Sequence, residues 1–99
     1  MKPNIILVLL DGSRWDRIDT CSDFLDLKKK GTFVNNVTTA APYTFASVNT
    51  IFTGKYGKEN GVNAYYKMFR LKDSVDFLPE LLQKNGYFTT CNLISEKVI

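Results

Sequence analysis

The sequence contains no histidine. That removes the commonest metal-ligating side chain and the usual acid/base near neutral pH, so histidine-dependent chemistry would have to borrow residues from elsewhere. Cysteine is scarce as well. Cys21 and Cys91 are the two in the chain; no CxxC or other metal-ligand spacing joins them, which excludes a disulfide-dense scaffold and reads as two reduced thiols. Long apolar runs are missing. The longest, Ile5 to Leu10, has six residues against the roughly 20 that cross a bilayer. It is also shorter than a signal-peptide core and has no small-residue cleavage site after it. The expectation is a soluble chain with no membrane segment and no export address, cytoplasmic by default. An excess of one charge is lacking too: 13 Lys+Arg against 10 Asp+Glu leaves +3. The lysines are dispersed apart from Lys28-Lys29-Lys30, which argues against nucleic acid as a partner.

What is present is an ordinary globular composition, 44% apolar and 23% charged over 99 residues, enough for one small domain. Ile5 to Leu10 is uniformly apolar and ends at Asp11-Gly12, the pattern of a strand buried on both faces in a parallel sheet. Ser22 to Lys30 predicts a short helix, with Ser22 or Asp23 near its cap and lysines in its last turn before Gly31. Thr32 to Thr39 is rich in β-branched residues and reads as a second, weaker strand. Phe45 to Thr53 carries Phe45, Val48 and Phe52 at helical spacing, with Gly54 as a stop, which puts Thr44 at or beside a helix N-terminus. Residues 56–63 read as a loop from their Gly and Asn content, and 65–70 as an amphipathic connection. Asp76 can cap a helix bearing Leu78, Leu81 and Leu82 with Pro79 in its first turn and Gly86 after it, and Tyr87 to Ile94 reads as a third strand. Strand and helix in this order predict an α/β fold with a mainly parallel sheet. Three strands are few for a sheet that usually has five or six, so residues 1–99 read as a single incomplete domain, the N-terminal portion of something larger.

Two residues stand where chemistry is expected. Ligands of open parallel sheets bind at the carboxyl ends of strands, and Asp11 leaves the first strand there; a carboxylate suits a hard or borderline cation, while the bland alternative is a cap on the turn with Gly12. Thr44 at a helix N-terminus lies in a positive field with free N–H groups nearby, where its hydroxyl can attack a docked phosphate or sulfate ester. Its bland alternative is an ordinary N-cap. The turn Asp11-Gly12-Ser13-Arg14 lacks a glycine-rich phosphate cradle, which weakens nucleotide binding. Arg14, Trp15 and Asp16 read as a structural turn, with Trp15 on the sheet edge.

Taken in order, these segments resemble a known family. Residues 2–12 (KPNIILVLLDG) resemble the first strand and metal-binding aspartate of the sulfatases and the wider alkaline phosphatase superfamily. Phe24 to Gly31 is similar to the short helix before the family's second strand, and Phe33 with Asn36 to that strand. Ala41 to Ser47, Ile51 to Tyr56 and Gly61-Val62 resemble the nucleophile segment and the turn after it. Leu78 to Leu82, with Asn85 to Thr89, resembles the helix and the Gly-Tyr-x-Thr strand that close the family's N-terminal region. The likeness covers nearly the whole chain.

The resemblance implies the N-terminal part of an alkaline-phosphatase-like three-layer sandwich. Asp11 would be a ligand of a divalent metal (Zn, Mn, Ca or Mg), and Thr44 would be the nucleophile and a second metal contact. Lys55 would meet the anion of a phosphate- or sulfate-ester substrate, its bland alternative being a solvated loop lysine. Departures narrow the chemistry. Sulfatases carry a Cys or Ser, oxidised to formylglycine, in a Cys/Ser-x-Pro-x-Arg pattern, where this chain has Thr44, Ala46 and Val48. Threonine cannot give that aldehyde, and Val48 cannot hold an anion as arginine would. The second acidic residue of the family is Gly12 here, and the usual Gly-Lys-Trp-His gives way to residues 93–96. A threonine nucleophile after Asp-Gly is the habit of the phosphodiesterase, phosphomutase and phosphoethanolamine-transferase branches, so phosphoryl chemistry is expected over sulfate-ester cleavage. The family's Asp-His pair and later histidines have no counterpart in these 99 residues, which on their own are expected to be inactive. The reading from another class is a non-catalytic α/β module that docks through its exposed sheet edge, covered by an oligomer or by further chain.

Overall fold

The computed structural model describes residues 2–63 and 70–92. The connection expected over 65–70 lies outside them except for Arg70, as do the last two residues of the strand expected over Tyr87 to Ile94 and the whole of 93–96. Among the described residues five helices follow one another: α1 (Trp15–Ile18), α2 (Ser22–Lys30), α3 (Thr44–Thr53), α4 (Gly57–Asn60) and α5 (Leu78–Lys84). The chain divides into two compact units, residues 1–37 and 38–99.

The first unit holds α1 and α2. Arg14 and Asp16 open α1 as a bidentate pair, Nε to Oδ1 at 3.0 Å and Nη2 to Oδ2 at 2.7 Å. The α2 helix spans the residues its pattern predicts, although its N-cap is Cys21 and not Ser22 or Asp23, with no side-chain cap bond. Around its C-terminal half, Lys28 reaches Asp19 at 3.1 Å and lies 3.8 Å from the centre of the Phe33 ring. Phe33 in turn meets Phe24 edge-on. Neither helix buries a residue.

The parallel sheet expected of the sequence is not there. No strand occurs among the described residues, so the mainly parallel α/β sandwich gives way to helices and irregular segments. The physical reason lies in what surrounds the apolar run. A strand apolar on both faces needs a hydrogen-bonded neighbour on each side and an apolar layer above and below. Ile5 to Leu10 are each 50% to 86% exposed, and α1 and α2 present no buried face to cover them. Val34 and Val37 of the second expected strand are exposed as well. Trp15, expected on a sheet edge, is instead exposed on α1, and the described residues offer no sheet edge for docking.

The second unit has the core. Ala46 and Val48 of α3 are buried together with Val62, which follows α4. Phe52 of α3 meets Phe77, the N-cap of α5, at 5.3 Å between ring centres. Gly54 ends α3 in the left-handed conformation (φ 64°), its N–H donating to the Thr50 carbonyl at 2.8 Å, a stop the sequence announces. The one-turn helix α4 sits inside the segment expected to be loop. It packs so closely there that a Cβ on Gly57 would lie 2.5 Å from the Val62 carbonyl oxygen. In α5, Pro79 occupies the first turn as predicted, whereas Phe77 takes the cap position expected of Asp76. Both cysteines are free and exposed, and no helix of the described residues is long and apolar enough to cross a membrane.

Candidate functional site

Asp11 belongs to the first unit and Thr44 to the second. The Asp11 side chain is exposed, and its Oδ1 accepts the Gly12 N–H at 3.0 Å. Gly12 has a positive φ of 69°, so the carboxylate takes part in the turn that the bland alternative describes. Beyond it, Gly12, Ser13, Arg14, Arg17, Ile18 and Cys21 line a wide-open hollow of about 380 Å³. Within this turn the Arg14 guanidinium holds the Asp16 carboxyl below the usual carboxylate range, and the pairing raises the guanidinium in return.

Thr44 is the first residue of α3 and is half-buried. The cap position itself falls to Tyr43, in extended backbone and without a side-chain cap bond, so Thr44 is not the helix's N-cap. It stands one residue further in, at the positive end of a ten-residue helix whose first turn carries no acidic side chain. A negative group approaching that end meets favourable helix-dipole electrostatics.

Residues around Thr44 are tied down by hydroxyls that the sequence reading did not single out. Thr39 Oγ1 donates to the Ala41 carbonyl at 2.9 Å, Ser47 Oγ donates to the same carbonyl at 3.0 Å, and the two hydroxyl oxygens are 2.9 Å apart. Ser47 lies three residues after Thr44, the spacing of neighbours on one helix face, and that spacing is the signal that could have found it.

Lys55 follows the other end of the same helix. With ten residues in α3 and about 1.5 Å rise per residue, the helix ends lie about 13 Å apart. A four-carbon lysine stem is much shorter than that, so Lys55 and Thr44 are not brought together around one small anion. The Lys55 backbone is instead clamped: its carbonyl accepts the Asn60 side-chain amide at 2.8 Å, while its N–H donates to Thr53 Oγ1 at 3.2 Å. A cation there complements the negative end of α3. Asn60, fully buried, also accepts the Val62 N–H at 2.8 Å. It is a second residue missed from the sequence, where it looked like one more loop asparagine.

Divalent cations take four or more ligands in protein sites. Among the described residues, no three His, Cys, Asp or Glu side chains come together in such a group. Asp11 and Thr44 by themselves therefore do not form a complete metal centre.

The sulfatase family matches residues 3–93, nearly the full chain. The chain belongs to the sulfatase family. Its place is thereby within the alkaline phosphatase superfamily, and at the coarse level it is a sulfatase-like hydrolase chain. The ordered segments from Lys2 to Thr89 that carried the resemblance all fall within, or at the edge of, the matched sulfatase region. Neither the curated proteins nor the solved structures yield a match.

Proposed function

We propose that this sulfatase-family chain belongs to a hydrolase or transferase acting on phosphoric esters in preference to sulfuric esters, with Thr44 as nucleophile. The observation that supports it is the position of Thr44: a hydroxyl in the first turn of α3, with no acidic side chain in that turn, inside the matched family region. In this reading the ester's anionic oxygens face the positive end of α3. The Thr44 hydroxyl gives up its proton as Oγ1 forms a bond to phosphorus, and the bond from phosphorus to the leaving alkoxide breaks on the opposite side. The alcohol leaves with a proton, a phosphothreonine remains, and water or an acceptor alcohol then breaks its P–O bond and regenerates Thr44.

Asp11 is proposed as one carboxylate ligand of a divalent cation, Zn, Mn, Ca or Mg. Such an ion supplies Lewis acidity and charge neutralisation when bound. The preference for phosphorus rests on Thr44, which cannot be oxidised to the aldehyde of a formylglycine; Val48, buried in the core, offers no charge to either ester.

The test uses protein expressed from the full reading frame carrying these residues, assayed with p-nitrophenyl phosphate, bis(p-nitrophenyl) phosphate and p-nitrophenyl sulfate. Thr44→Ala is expected to reduce turnover by at least about a thousandfold, as removal of a nucleophile does, with unchanged circular dichroism. Quenched reaction mixtures should contain a phosphorylated peptide covering residue 44. Full activity in the alanine variant would remove Thr44 from the mechanism.

A further inference from the structure

We propose that Ser47 and Thr39 are positioning residues that set the direction of Thr44, an inference that rests on Thr44 being the nucleophile. The chain reaches α3 through residues 39–43, and Tyr43 in the cap position makes no side-chain cap bond. The first backbone hydrogen bond of the helix, Ser47 N–H to the Tyr43 carbonyl, is long at 3.3 Å. The approach is braced by the triangle of Thr39 Oγ1, Ser47 Oγ and the Ala41 carbonyl, with all three sides between 2.9 and 3.0 Å.

That triangle brackets Thr44 on both sides: two corners lie before it in the chain and one after it on the same helix face. Each hydroxyl has one proton, so two protons serve three contacts, and the carbonyl with its two lone pairs can accept both. With both protons on the carbonyl, one hydrogen bond ties residue 47 to residue 41 and the other ties residue 39 to the same acceptor. A hydroxyl nucleophile gains rate from being held in line with the bond to be broken, and a displacement of about 1 Å can cost about a hundredfold. Loosening the triangle would let the segment before α3 swing and carry the Thr44 Cα with it. Catalysis should therefore suffer in kcat, while a probe ester bound mainly by the helix end should keep its KM.

The experiment compares Ser47→Ala, Thr39→Val, Ser47→Thr and Thr44→Ala in protein from the full reading frame, with p-nitrophenyl phosphate as probe and hydrogen exchange as a second readout. Ser47→Ala and Thr39→Val are each expected to lower kcat about tenfold to a hundredfold with KM within about threefold. Ser47→Thr, which keeps a hydroxyl, should restore most of the loss. Exchange in a peptide spanning 43–48 should quicken about tenfold or more in Ser47→Ala, while a peptide spanning α5 stays as in the wild type. An unchanged kcat in Ser47→Ala beside an inactive Thr44→Ala overturns the positioning role and leaves the nucleophile standing. An active Thr44→Ala overturns both. Unchanged exchange over 43–48 overturns the triangle whatever the turnover. Equally faster exchange over α5 also overturns it, because the hydroxyls would then support the whole unit and not the approach to Thr44.

Discussion

Replacing Asn60 by alanine should destabilise the second unit by about 2–4 kcal/mol, a large share of the roughly 5–15 kcal/mol that holds a domain together. Asn60 is wholly buried, and its amide nitrogen donates to the Lys55 carbonyl at 2.8 Å and to Thr53 Oγ1 at 3.3 Å, while its Oδ1 accepts the Val62 N–H at 2.8 Å. Alanine strands the buried Val62 N–H, at about 1–3 kcal/mol, and forfeits about 1 kcal/mol for the bond to Lys55. The Thr53 hydroxyl proton is committed to the Asn49 carbonyl at 2.7 Å, but Lys55 is an exposed residue, so water takes the place of the lost donor there, which holds the sum below the cost of two stranded groups. Asn60→Asp separates the two halves of the amide. It keeps the acceptor for Val62 but sets a buried carboxylate against the Lys55 carbonyl oxygen, which favours the protonated acid and raises its folded-state pKa above the unfolded value. Folding then takes up a proton, so the Asp variant's deficit is largest above the raised pKa and shrinks as pH falls through it. Urea titrations followed by far-ultraviolet circular dichroism, from about pH 7 toward about pH 5, measure both effects. A loss under about 1 kcal/mol in the alanine variant, or an aspartate variant whose deficit does not shrink on acidification, would refute the reasoning.

Gly57→Ala should destabilise by about 1–3 kcal/mol despite alanine's better helix propensity, because its Cβ would lie 2.5 Å from the Val62 carbonyl oxygen and 3.0 Å from the Asn63 Cα; the same urea titration decides it, and a neutral or stabilising result would show that the turn can yield. Asp16 should titrate below the ordinary carboxylate range by NMR, since Arg14 bonds to its charged form, and Arg14→Gln should move its midpoint upward. A depressed folded pKa means that whatever the pair adds is present above the unfolded pKa and is lost as pH falls; an unmoved midpoint in the variant would assign the depression elsewhere.

Local patterns told much about the helices and misled about the sheet, and the difference is one of range. The α2 helix spans Ser22–Lys30 as its pattern requires, and α3 begins one residue before Phe45, the first residue of the spacing, because helical periodicity, lysines in a last turn and a left-handed glycine all act within a few residues. A strand's partner lies far along the chain. Ile5 to Leu10 record only that a segment is apolar, not that anything pairs with it or covers it, and their 50% to 86% exposure is the outcome. Short helices α1 and α4 were illegible for the opposite reason: four residues are too few to establish a period. At the candidate site, Thr44 beside a helix start could be read from Phe45, Val48, Phe52 and Gly54. That Lys55 stands at the other end of α3 followed from the same pattern once helix length was counted. The hydroxyl triangle and the buried Asn60 needed coordinates, because a serine or asparagine in a polar stretch looks alike whether its side chain meets water or a carbonyl.

Trp15, the single tryptophan, is 80% exposed on the first unit, and this governs which optical signals can follow the molecule. Its indole already sits in water in the native state, so its emission should be red-shifted from the start and change little on denaturation. The buried side chains Ala46, Val48, Asn49, Asn60 and Val62 all belong to the other unit and contain no chromophore of their own. Fluorescence excited at the indole band would thus remain nearly silent through the loss of the only interior this chain possesses among its described residues.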